Sequence, residues 1–131
     1  MFGLIFRFLA VAYLAVIFVL TGSFEAEAQS NRFLNRSVKA GERIEFQWLN
    51  FDEAKCRDRG YPKLIVKKKP KLGRYKTVRR KFTQTKGRCK GRRFSVLLVY
   101  YVAGRKKGVD KTTYVVSGAS NIVINLRVRV R

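Results

Sequence analysis

Residues 121–131 read Asn121-Ile122-Val123-Ile124-Asn125-Leu126-Arg127-Val128-Arg129-Val130-Arg131. Ile122, Ile124, Leu126, Val128 and Val130 alternate with Asn121, Asn125, Arg127, Arg129 and Arg131, and Val123 is the one apolar residue out of step. Successive side chains of a strand point to opposite faces, so the pattern predicts a half-buried β-strand with arginines along its solvent side. The same period of two recurs at Arg43 to Trp48, where Ile44, Phe46 and Trp48 alternate with Arg43, Glu45 and Gln47. Phe94 to Val102 is apolar on both faces (Val96, Leu97, Leu98, Val99, Tyr100 and Tyr101), which predicts a central strand covered on both sides. Leu64 to Val66 and Thr112 to Val116 add β-branched runs. Turn signals separate these segments at Pro70-Lys71-Leu72-Gly73, Lys86-Gly87, Lys90-Gly91, Gly104, Gly108 and Gly118. The segment Gln29 to Arg36 is polar and reads as a loosely ordered lead-in. The expected fold class is therefore all-β, a single small antiparallel β-sandwich.

Upstream of that body, residues 1–28 predict a cleavable signal peptide. Arg7 closes a short basic start, Phe8 to Leu20 is an unbroken apolar run, and Thr21-Gly22-Ser23 ends it. The run is too short to span a bilayer, and Ala26-Glu27-Ala28 supplies a small-x-small cleavage pattern that places the mature start at Gln29. Residues 29–131 then form one domain, with no linker, repeat or second composition regime, in the periplasm or outside the cell.

The chain carries 30 Lys and Arg, 8 Asp and Glu and no His, a formal net charge of +22. Removing residues 1–28 takes away Arg7, Glu25 and Glu27, which raises the charge to +23. Between Asp58 and Asp110 lies no acid at all, and that gap holds the densest basic clusters. They are Lys67, Lys68, Lys69 and Lys71 with Arg74; Arg79, Arg80 and Lys81; Lys86, Arg88, Lys90, Arg92 and Arg93; and Arg105, Lys106 and Lys107. Self-repulsion at this density opposes compaction, so the stretch reads as a binding surface for a polyanion. Arg127, Arg129 and Arg131 are explained equally well as guards of a sheet edge. Of the aromatics, Trp48 reads as core, and Tyr75, flanked by Arg74 and Lys76, reads as exposed.

Cys56 and Cys89 are far apart in sequence and lie in basic surroundings, which in an oxidising compartment predicts a disulfide. Without His no Ser-His-Asp or Cys-His arrangement can be built, nor a His-based zinc site. The acids of the mature chain are Glu42, Glu45, Asp52, Glu53, Asp58 and Asp110. Asp52-Glu53 is the one adjacent pair, in a charge-mixed segment (residues 50–59) that reads as a solvated loop. The expectation is a non-enzyme with no cofactor and no metal.

Pro70 and Gly73 match a P-x-x-G turn, and Tyr100, Gly108, Asp110 and Tyr114 fall at the spacing of Y-x-P-x-x-x-F-x-G-x-D-x-F-x-Y. Over residues 70–114 the chain resembles small exported bacterial immunoglobulin-like and cadherin-like domains. Val102, Lys106 and Thr112 depart from the pattern, standing where Pro, Phe and Phe are usual. The resemblance implies an immunoglobulin-like sandwich in which the Asp bonds loop backbone, and it implies no catalytic site. The partner expected from charge and export together is an anionic glycan, such as lipopolysaccharide or an acidic polysaccharide. Extracellular nucleic acid and an acidic protein surface are the alternatives. The lack of an interleaved aromatic stripe favours glycan.

Overall fold

The computed structural model describes residues 30–118 and 120–131; the proposed signal peptide lies outside them. The strands are β1 (Ser30–Val38), β2 (Arg43–Leu49), β3 (Phe51–Asp52), β4 (Arg57–Asp58), β5 (Lys63–Lys68), β6 (Gly73–Thr83), β7 (Arg93–Ala103), β8 (Gly108–Ser117) and β9 (Asn121–Val130). They form a four-stranded sheet, β1-β9-β8-β5, and a three-stranded sheet, β2-β7-β6, with β3 and β4 as a small separate hairpin. Every pairing is antiparallel except β1 with β9. The described residues contain no helix.

The two sheets meet through the residues that the period of two assigns inward. From the four-stranded sheet come Ile124, Leu126, Val128 and Val130 of β9 with Tyr114 and Val116 of β8. From the three-stranded sheet come Leu97, Val99, Tyr101 and Ala103 of β7 with Phe46 of β2. Trp48 packs edge-on to Tyr114 at 6.3 Å between ring centroids, as its place on the apolar face of β2 requires. β7 is central, and its other face is buried too, with Val96, Leu98 and Tyr100 forming a second cluster. No third layer covers that face among the described residues. Side chains of the flanking strands do so instead: Val78 packs from β6, and the Arg43 guanidinium lies 4.4 Å from the centroid of the Tyr100 ring. Charged side chains with apolar stems cover a sheet face in this way while their heads stay in water.

Two expectations are corrected. Residues 30–36 are not a lead-in: β1 pairs in register with β9 from Ser30↔Ile122 to Val38↔Val130. Its side chains are mostly exposed, so what holds it is backbone pairing plus the inward anchors Leu34 and Val38. Tyr75 is not exposed. It packs on Tyr101 and Tyr114 at 6.0 and 5.3 Å between centroids, and its hydroxyl donates to Thr112 Oγ1 at 3.1 Å. Burial pushes its pKa up to about 12.

The charge-mixed segment is more ordered than a loop. β3 and β4 pair, Arg59 and Asp52 form an ion pair at 3.0 Å, and Ser95 donates to the Asp58 carboxylate at 2.7 Å. The Cys56–Cys89 disulfide, with its Cα atoms 5.3 Å apart, ties this hairpin to the loop between β6 and β7.

At the opposite end three turns bond to one another. Gly41 N–H donates to the Gly104 carbonyl, and Gly104 N–H donates to the Leu72 carbonyl. Asp110 organises this end. It is 2% exposed, and its carboxylate accepts from Lys71 N–H at 3.0 Å, Leu72 N–H at 2.9 Å and the Tyr101 hydroxyl at 2.7 Å. Gly73 is required here by close approach: a Cβ would lie 2.6 Å from Tyr101 Cζ. Burial alone would raise the Asp110 carboxyl, but the Lys71 N–H, the Tyr101 hydroxyl and the Leu72 N–H outweigh it and hold it below the usual range. A carboxyl depressed in the native state lets the unfolded chain bind its proton first, so the stability it confers is complete above the unfolded value near 3.9 and is lost as pH falls further. The urea midpoint is expected to hold from pH 7 to 5 and to fall below pH 4, less steeply in Asp110→Asn. Equal acid sensitivity in the two proteins would contradict this role.

Candidate polyanion-binding surface

A single ion pair, Arg59–Asp52, joins an acid to a base among the described residues, so the positive charge is almost entirely uncompensated. Several cations lie over aromatic rings instead. Arg32 and Arg36 of β1 stand 5.9 Å from the Trp48 and Phe46 rings, and Arg79 stands 5.2 Å from Tyr61.

The fold divides the acid-free stretch rather than gathering it. β6 and β7 are paired from Gly73↔Ala103 to Thr83↔Arg93, so their two ends lie about 33 Å apart at the rise of a strand. Lys67, Lys68, Lys69 and Lys71 sit at the Asp110 end, together with Arg105, Lys106 and Lys107 in the turn after β7. Lys86, Arg88, Lys90, Arg92 and Arg93 sit at the disulfide end, all exposed. Arg74 and Arg80 lie on β6 facing away from the other sheet. Arg79 and Lys81 lie on its opposite face, near Tyr61 and Asp58 respectively.

The outer face of the four-stranded sheet receives cations from three separate segments. Val109, Lys111, Thr113 and Val115 of β8 alternate outward while Asp110, Thr112 and Tyr114 turn in. On β9 the outward set is Val123, Asn125, Arg127 and Arg129. The register places Lys111 directly opposite Arg127. Like charges opposite one another destabilise a sheet pair, and neither has a carboxylate within ion-pair distance. Lys68 and Lys71 arrive from β5 and the following turn, and these four cations line one groove of about 370 Å³. Asp110 borders the same groove, but its oxygens are committed to Lys71, Leu72 and Tyr101. Two neighbouring grooves share Arg127 with it, one of them bounded by Phe33, Asn35, Thr113 and Asn125. A recess at the disulfide end includes Glu53, which offsets its positive lining.

Of the residues expected from sequence, Lys68 and Lys71 are thus brought into one recess, and Lys67, Lys69, Arg105, Lys106 and Lys107 are at the same end of the fold. The disulfide-end group is remote from them. Edge protection does not account for Arg127 and Arg129, because β9 lies between β1 and β8 and has no free edge. Lys111 and Arg127 were not legible as a pair, since 15 intervening residues and a hairpin register separate them in the chain.

The surface offers positive charge and hydrogen-bond donors. The described residues contain no cluster of three metal-ligating side chains, and no helix among them is long and apolar enough to cross a membrane. No protein-family model matches the chain, and neither a curated protein nor a solved structure matches it.

Proposed function

We propose that the protein is an exported, non-enzymatic binding module for an anionic glycan of the cell envelope or extracellular matrix. The observation that carries this reading is the groove where Lys68, Lys71, Lys111 and Arg127 converge with no free carboxylate among them. An unpartnered fold gains nothing from the Lys111–Arg127 juxtaposition, whereas a bound carboxylate or phosphate reverses its sign. The disulfide supports an oxidising compartment, and the N-terminal signal pattern supports export. The strand orders β2-β7-β6 and β9-β8-β5 correspond to B-E-D and G-F-C of an immunoglobulin sandwich, with β1 beside β9 instead of beside β2, and this partial correspondence supports the resemblance over residues 70–114. The Asp110 bonds to the Pro70–Gly73 turn support it further.

The test is retention of mature protein on immobilised acidic polysaccharide against a neutral one of similar length. Retention on the acidic support alone is expected. Lys68→Gln with Lys111→Gln and Arg127→Gln should weaken it more than the same number of changes at Lys86, Arg88 and Lys90. Equal weakening from both sets would contradict the choice of surface, and equal retention on the neutral polymer would contradict the function.

A further inference from the structure

Phe33 is 78% exposed in the middle of β1, the most exposed large apolar side chain described. Nothing in the fold needs a phenyl ring there: the inward positions of β1 are Leu34 and Val38, and Phe33 is on the other face. Its surroundings are chemically specific. The register sets Phe33 beside Asn125, Asn125 beside Thr113 and Thr113 beside Lys68, one row across all four strands. The next row is Asn35, Arg127 and Lys111. Neighbouring strands are about 4.8 Å apart, so the first row spans about 14 Å. Thr113 Oγ1 donates to Asn125 Oδ1 at 3.2 Å, which fixes the amide on this face with its oxygen engaged. These residues border a shallow groove of about 370 Å³ that adjoins the cationic one.

We infer that this face holds a sugar-ring subsite for an acidic polysaccharide. Phe33 stacks against the apolar face of a pyranose, the Asn125 and Asn35 amides bond its hydroxyls, and Lys111 and Arg127 take the carboxylate of that ring or its neighbour. The inference rests on the glycan reading above and adds to it a recognition element that charge alone does not supply. A lone aromatic ringed by amides and cations suits a chain of hydrated rings. Nucleic-acid platforms stack successive bases on several aromatics, and among the described residues Phe33 is the one aromatic on this face.

Affinities of wild type, Phe33→Ala and Phe33→Trp are measured for polygalacturonate, for inorganic polyphosphate and for an oligothymidylate, at one fixed salt concentration. Phe33→Ala is expected to weaken polygalacturonate about tenfold, the order of loss seen when a stacking aromatic is removed, and to leave polyphosphate unchanged; Phe33→Trp should retain wild-type affinity. Because Phe33 is exposed, the variants should melt with wild type, which a thermal scan verifies. Unchanged polygalacturonate binding in Phe33→Ala, with wild type still binding, overturns the subsite and leaves the glycan reading standing. An equal loss for oligothymidylate overturns it in favour of nucleic acid. Failure of wild type to bind polygalacturonate at all removes the glycan reading and the subsite together.

Discussion

Asp110→Ala is expected to destabilise the protein by about 3–5 kcal/mol. The substitution orphans three donors at once: the Lys71 and Leu72 N–H groups and the hydroxyl of fully buried Tyr101. Each buried donor left without an acceptor costs about 1–3 kcal/mol, and the two amides at the surface fall at the low end because water reaches them. For a domain of this size that loss corresponds to a drop in melting temperature on the order of 20 °C. It is also a large share of the 5–15 kcal/mol that such domains possess. Asp110→Asn keeps one acceptor oxygen in place and should cost about half as much. A melting temperature for Asp110→Ala within about 5 °C of wild type would show that the turn end does not depend on this carboxylate.

Reduction of the Cys56–Cys89 bridge carries the second large effect. The cystine joins residues 33 apart, and in the chain-entropy description closing a loop of that length stabilises the native state by about 3–4 kcal/mol. The bridge also has a local task. The β3–β4 hairpin is two residues deep on each strand, too short to persist alone, and its other ties include the Asp58–Ser95 bond and the Phe51–Phe94 ring contact. The double variant Cys56→Ser, Cys89→Ser should therefore lose protection at residues 51–59 first in hydrogen exchange and melt well below the oxidised protein. A melting temperature insensitive to reductant would mean that these other ties suffice.

Some of this architecture is legible in the chain and some is not, for identifiable reasons. β9 and β2 alternate cleanly because each has one face in the core and one in water. β7 reads as central because both its faces are buried. β1 does not read as a strand at all. Its stability comes from main-chain pairing with β9, which leaves no mark on side-chain polarity beyond Leu34 and Val38. The basic neighbours of Tyr75 are a misleading sign of exposure: in a strand, residues at i−1 and i+1 occupy the opposite face, so outward Arg74 and Lys76 place Tyr75 inward. The candidate surface is the least legible part. The acid-free stretch is continuous in sequence but runs the length of the sandwich and back along β6 and β7, so its clusters end up at opposite poles. The groove draws instead on β5, β8 and β9, and only the cross-strand register brings Lys68, Lys111 and Arg127 together.

The most direct test of the account is the salt dependence of binding to polygalacturonate by the purified protein spanning residues 29–131. With about six anionic groups engaged, log affinity should fall with log salt at a slope of about −4 to −5. Binding should be nearly abolished at molar salt, where the Debye length is about 3 Å. The slope should flatten by about 2 to 3 when Lys68, Lys111 and Arg127 are replaced together by Gln. An affinity that does not change with salt, or is matched by a neutral dextran, would contradict the claim that uncompensated charge on this sheet face is what recognises the ligand.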